Sequence, residues 1–285
     1  MIPQERGEMR GASGSESSGI AARTGTLSSA WAFLTKTAVI AELEVRKLRH
    51  DPTEVLTRAV QPALWLLIFG EVFTRARAIP TGGIRYLDFM APGILAQSVL
   101  FIAIFYGIAI IWERDLGIVH KFLASPTPRP AIVLGKAVSA GIRGLMQAVV
   151  IYLLALLVHV KLNWNPFALL GVALTVILGA ALFSTLSLII ACIVKTRERF
   201  MGIGQVITMP LFFASNAIYP IAMMPDWLKV VSRANPLTYE VDALRSLMLQ
   251  HGIGVYGCWY DFAVLIVSVV ILVSIGAKLY PRVVN

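Results

Sequence analysis

Hydrophobic positions along this chain gather into long apolar blocks separated by short polar ones. At about 56–73, 89–112, 138–160, 167–194, 200–215 and 262–279 the run is apolar enough to predict a membrane span, a bilayer core needing roughly 20 such residues. The fourth block is longer than that minimum, so its helix should tilt or protrude. Two segments break the scheme. In 29–51 the residues Trp31, Leu34, Ala38, Ala41, Val45 and Leu48 recur at steps of three and four, with Lys36, Glu42, Glu44, Arg46, Lys47 and Arg49 off the stripe. That pattern predicts an amphipathic helix lying in the membrane interface. Between the fifth and sixth blocks, 216–250 holds two short helical patterns, one from Asp226 as a cap and one capped by Thr238, with Asn235-Pro236 ending the first. Glu240 and Asp242 suit the second helix's first turn. Neither is long enough to cross, so the pair predicts an outer re-entrant hairpin whose backbone is covered by neighbouring spans. The fold class is therefore an all-α polytopic membrane protein with six transmembrane helices.

The polar stretch 113–130 stands apart from an ordinary turn. Leu116, Val119 and Leu123 fall at helical spacing with Phe122 beside them, while Glu113, Arg114, Asp115, His120 and Lys121 remain polar. Pro126, Pro128 and Pro130 should stop any helix. A short helix with one sticky face fits a surface gripped by a partner, although a merely solvated helix end would share its charges.

Composition removes the soluble alternative: 57% of residues are hydrophobic and 14% charged, against about 25% charged in an average soluble chain. Residues 1–28 are rich in Gly and Ser and lack an apolar signal core, so they read as a disordered tail and no standard signal peptide. Lys and Arg set the orientation. With the N-terminus inside, 8 basic residues fall in the part ending at Arg58, 5 from the end of the second block through Arg143 in the early turns of the third, 3 in Lys195–Arg199 and 2 at the C-terminal end; only 7 fall outside. Both termini and the 113–130 loop are then cytoplasmic.

Chemistry-bearing residues are sparse. Cys192 and Cys258 are too differently placed for a structural disulfide, no Cys/His cluster has metal spacing, and His50, His120, His159 and His251 are scattered. Gln61, Gln97, Gln147 and Gln205, one in each of four spans, can line a polar path or hydrogen-bond between helices. Met209, Phe212 and Phe213 suit either a greasy substrate wall or a dimer seam.

The order interfacial helix, two spans, charged loop, three spans, outer hairpin and sixth span resembles the permease of ABC-2 type ABC exporters, the daunorubicin-resistance-like drug and lipid exporters and the polysaccharide exporters. The resemblance rests on Glu113-Arg-Asp-Leu-Gly117, Leu123-Ala-Ser-Pro126, Leu134-Gly-Lys136, Asn216-Ala-Ile-Tyr-Pro220, Asn235-Pro-Leu-Thr-Tyr239 and Asp242-Ala-Leu-Arg245. It implies a non-catalytic subunit with no cofactor of its own, ATP and Mg being bound by a separate ABC ATPase. Consistently, Gly135-Lys136 is followed by Ala137 and preceded by Pro130 where a phosphate-binding loop needs Ser or Thr and Gly. The resemblance also implies a coupling helix contacting the ATPase through Glu113, Arg114, Asp115, Leu116, Val119, Lys121, Phe122 and Leu123. Arg197, Glu198 and Arg199 form a second cytoplasmic contact. The expected assembly has two ATPase copies and a second permease copy or paralogue, with Gln61, Gln97, Gln205, Met209, Phe212 and Phe213 at the pathway or seam. Membrane lipids are expected partners and nucleic acid is not. The expected setting is a bacterial inner membrane and the expected cargo an amphipathic drug or lipid. A lipid-linked polysaccharide, or ion-coupled secondary transport, are the alternatives.

Overall fold

The computed structural model describes residues 57, 60–77, 79–116, 129–194, 196–252 and 254–280. The expected tail (1–28), interfacial helix (29–51) and most of the expected coupling loop lie outside them. Among the described residues the chain is helical, with no strand beyond a single antiparallel bridge, Leu162 to Leu249.

Helix α1 runs over 60–76; its middle, Trp65–Gly70, is π-helical and Glu71–Ala76 is α-helical. Then come α2 (Tyr86–Asp115), α3 (Arg129–Leu157), α4 (Pro166–Ile193), α5 (Arg197–Phe213), a 3-10 turn at Ile221–Met223, α6 (Asp226–Ala234), α7 (Pro236–Met248) and α8 (Cys258–Leu279). Among the described residues four stretches are long and apolar enough to cross a bilayer: Tyr86–Tyr106, Val133–Leu157, Pro166–Ile193 and Cys258–Leu279. The described parts of α1 and α5 fall short of that length.

The boundaries differ from the expected ones for local reasons. Helix α3 begins at Arg129, so Pro130 opens a helix instead of stopping one; a proline is tolerated in the first turn because no amide there needs a partner within the helix. Helix α6 is preceded by Pro225 and Asp226 makes no capping bond, while α7 is capped by Asn235, not Thr238. The Asn235 side chain accepts from the Leu237 amide at 3.0 Å, with Pro236 as the first helical residue. Asn165-Pro166 starts α4 the same way, through Phe167 N–H at 3.0 Å. In both, the asparagine satisfies one orphan amide and the proline removes another.

Helices α2 and α4 form the centre. Of their apolar stretches 78% and 72% are buried within the chain, against 11% for α8. The exposed Ile266, Val267, Val270 and Ile271 of α8 therefore face lipid or another chain. Helix α4 packs on α2, α3, α7 and α8. Both cysteines are free.

Candidate functional site

Two ends of the bundle carry polar organisation: the end where α2 finishes and α5 begins, and the opposite end, where the α6–α7 hairpin sits.

At the first, the last turn of α2 meets the first turn of α5. Asp115 accepts from Arg114 at 3.1 Å through one oxygen and from Arg197 at 3.0 Å through the other. The Arg197 guanidinium lies 3.7 Å from the centre of the Trp112 ring, a cation–π contact that fixes its direction. Beneath this lies a small apolar cluster: Ile111, Val133, Leu188, Ile190, Phe200 and Tyr280, drawn from α2, α3, α4, α5 and the end of α8. Phe200 and Tyr280 are fully buried there, so α5 is anchored where its charged face begins. Leu116 follows as an exposed apolar residue, 68% accessible, and the half-exposed Trp112 adds to it.

Asp115 and Arg197, from two contact patches anticipated separately (Glu113–Leu123 and Arg197–Arg199), thus meet in one ion-paired junction. Glu198 and Arg199 are exposed beside it. Val119, Lys121, Phe122 and Leu123 lie outside the described residues, as does the side chain of Glu113. Sequence reasoning did not link Asp115 with Arg197 or find Trp112, because 82 residues separate the ion pair and no periodicity connects them.

The Arg114 hydrogen bond, reinforced by that from Arg197, holds the Asp115 carboxyl below its ordinary value. A group depressed in the folded state keeps its contribution at neutral pH and loses it as pH falls through the lowered value. Spin labels placed at Leu116 and Met201 should therefore keep their neutral-pH separation down to about pH 4, the ordinary carboxylate range, and spread only below it. Spreading already near pH 6 would show that the Asp115 pair does not set this spacing.

Deeper in the bundle, Gln61 (α1), Gln97 (α2) and Gln147 (α3) line one cavity of about 320 Å³. Gln205 does not join them and is exposed on α5. Phe212 is buried; its ring meets Trp65 of α1 edge-on at 6.0 Å and Phe213 at 5.4 Å, tying α5 to α1. Met209 is half-buried and Phe213 exposed.

The hairpin end holds residues whose burial the sequence did not reveal. The Arg245 guanidinium donates to Asn216 O at 2.7 Å and lies 3.9 Å from the Phe89 ring centre. With the Asn216 amide oriented to satisfy both of its ends, Nδ2 donates to Thr238 O and Oδ1 accepts from Arg245, each at 3.2 Å. Asp242 accepts from the Val255 and Tyr256 amides at 2.7 and 2.9 Å. Asn235 also donates to Leu211 O at 2.6 Å, and Tyr239 OH to Arg233 O at 2.6 Å. Glu240, expected to serve the helix dipole, is fully buried beside the bare backbone of Gly179, and neither its carboxyl oxygens nor those of Asp261 have a hydrogen-bond partner among the described residues. The available signal was the presence of Glu240, Asp242 and Arg245 inside an otherwise apolar short helix between spans. No group of His, Cys, Asp and Glu among the described residues has a metal-holding arrangement.

Comparison with known proteins bears on both ends. The profile of the family described as ABC-2 type transporter matches residues 35–249. The daunorubicin resistance ABC transporter permease protein DrrB1 of Streptomyces coeruleorubidus is 27% identical over 234 residues, 82% of this chain and 80% of that protein. The protein ycf38 of Cyanophora paradoxa, named as a transport permease, is 28% identical over 75% of this chain and 74% of its own length. The inner membrane transport permease YadH of Escherichia coli K12 is 26% identical over 77% and 84%.

Proposed function

This chain belongs to the ABC-2 type transporter family, and from that premise we propose that it is the transmembrane subunit of an ATP-driven exporter moving an amphipathic drug-like or lipid-like substrate out of the cytoplasm or inner leaflet. The membrane location and the permease role follow from the family and the apolar helices; ATP drive, direction and cargo are the proposal. Supporting the cargo is the likeness to DrrB1, named as a daunorubicin resistance ABC transporter permease. The single observation that carries the coupling reading is the Asp115–Arg197 pair, which joins the end of α2 to the start of α5 beside the exposed Leu116. A partner pressing on the 113–130 segment would there move two helices together.

In the full reading α1 and α5 complete six spans, both termini and the Asp115 end are cytoplasmic, and the α6–α7 hairpin lies at the outer face. The membrane is the bacterial inner membrane. Two copies of a separate ABC ATPase bind ATP and Mg and dock on Glu113–Leu123 and Arg197–Arg199. This chain pairs with a second permease copy or paralogue through α1 and α5, and carries no cofactor or catalytic residue of its own.

The test is co-purification with the ATPase encoded beside it, followed by ATP turnover in lipid. The double substitution Phe122→Asp with Leu123→Asp should release the ATPase and reduce transport-coupled turnover at least tenfold while leaving the permease folded. Equal retention by both proteins would remove the coupling assignment. One observation favours a second reading, ion-coupled secondary transport: the carboxyls of Glu240 and Asp261 are buried without a hydrogen-bond partner among the described residues, and acidic side chains buried in membrane segments mark proton relays. Transport abolished by a protonophore and indifferent to ATP would establish that reading instead.

A further inference from the structure

The cavity between α1, α2 and α3 has walls whose chemistry specifies a ligand. Gln97 lies 11 residues along α2 from Tyr86, about 16 Å at the helical rise and so near the middle of a bilayer core of about 30 Å. Gln97 and Gln147 are each only 4% exposed. The Gln147 Nε2 is buried and has no hydrogen-bond partner among the described residues. A buried amide donor left unpaired is costly, and a ligand acceptor met by a rotation of the Gln147 side chain toward the cavity would remove that cost. Gln61 is exposed at the rim, Ser98 has already donated its hydroxyl to Ile94 O at 2.8 Å and can only accept, and Phe101 and Phe105 present stacked rings 6.1 Å apart. No acidic or basic side chain is among the described residues that line the cavity. Arg143, one turn along α3, sits over the Tyr106 ring at 5.0 Å outside them.

We propose that this cavity within a single copy of the chain binds an uncharged amphiphile that combines a flat ring with a hydrogen-bonding group. The ring would lie against Phe101 and Phe105 and the polar group between Gln97 and Gln147. This rests on the exporter reading and narrows its cargo. A formal charge between Gln97 and Gln147 would find no counter-charge among the described lining residues and would bear a large desolvation cost there. The volume of about 320 Å³ lies at the lower end of the range for small-molecule pockets, about 300–1,000 Å³.

The experiment uses two fluorescent probes on one skeleton: uncharged N-phenyl-1-naphthylamine and anionic 8-anilino-1-naphthalenesulfonate. The full-length permease, in nanodiscs of a zwitterionic lipid, is titrated with each, and signal from protein-free nanodiscs is subtracted. The uncharged probe should bind saturably, and the sulfonate at least tenfold more weakly. Gln147→Leu should weaken the uncharged probe about tenfold, the equivalent of one hydrogen bond of about 1.4 kcal/mol. The same substitution should leave the melting temperature of the probe-free protein unchanged or raised, because it removes an unpaired buried amide. A purely structural glutamine would show the reverse, a lowered melting temperature with binding retained. Gln97→Leu supplies an independent second variant. Equal binding of the two probes, or wild-type affinity in both variants, would overturn the proposal. Probe binding needs neither ATP nor a docked ATPase, so its failure leaves the coupling reading intact, and failure of ATPase docking leaves this result intact.

Discussion

Arg245→Met should cost about 3–5 kcal/mol of folding free energy, the penalty for removing one member of a buried charged network. Arg245 is 3% exposed, its guanidinium holds Asn216 O at 2.7 Å and stacks over Phe89, and it attracts the fully buried Asp242 through space without a direct ion-pair contact. Methionine fills much of the same volume but leaves the Asn216 carbonyl and the Asp242 charge uncompensated. Asp242 keeps its two backbone amides from Val255 and Tyr256, so adding Asp242→Asn should recover part of the loss, a non-additivity that a double-mutant cycle reads directly. Arg245→Lys should fall between, since a point charge cannot span the same acceptors as a planar fork. Thermal melts in detergent and the yield of monodisperse protein are the measurements. A single Met variant within 1 kcal/mol of wild type would mean the network is not what holds the hairpin against α2.

Gly93→Ala should cost about 2–3 kcal/mol, in the range for forcing extra atoms into a packed core. A Cβ at Gly93 would lie 2.7 Å from the Ala217 Cα and closer still to its carbonyl oxygen. The obstructing atoms are backbone and cannot rotate away. Nor can that segment retreat: Ala217 is fully buried, its amide bonds the Ser215 hydroxyl at 3.3 Å, and the next carbonyl, Ile218 O, accepts from Tyr86 OH at 3.0 Å. Gly135→Ala in α3 is the control. A Cβ there meets nothing among the described residues within 4 Å, so the substitution should be neutral or stabilise by up to about 1 kcal/mol through helix propensity. Similar melting temperatures for the two variants would refute the close packing of α2 on the 215–218 turn.

Both substitutions fall in motifs on which the family resemblance rests or in their immediate surroundings, and the structure shows what those motifs do. Asn216, Asn235, Thr238, Asp242 and Arg245 serve first to build the hairpin end: each bonds a backbone group or a neighbour in the same network. Their specificity as a signature comes from folding chemistry as much as from transport. The charged 113–130 segment is different, since its described portion ends in exposed Leu116 and an exposed ion pair that contributes little to stability by itself.

Hydropathy alone determined that the chain is a helical membrane protein and located its long apolar helices. The free energy of putting about 20 residues into lipid depends on their summed side chains and scarcely on their neighbours. Local rules also located the short helix after 235, although they took Asn235-Pro236 as the end of α6 and chose Thr238 over Asn235 as the cap of α7, since either residue type can do it and only the path of the backbone decides. Tertiary structure decided what required distant partners: that Asp115 meets Arg197, that Gln61, Gln97 and Gln147 share a cavity while Gln205 does not, and that Glu240 and Asp242 are buried instead of serving an exposed helix start. Burial and pairing are properties of which helix faces which. That choice is made by packing between segments tens of residues apart, on which a sequence periodicity is silent.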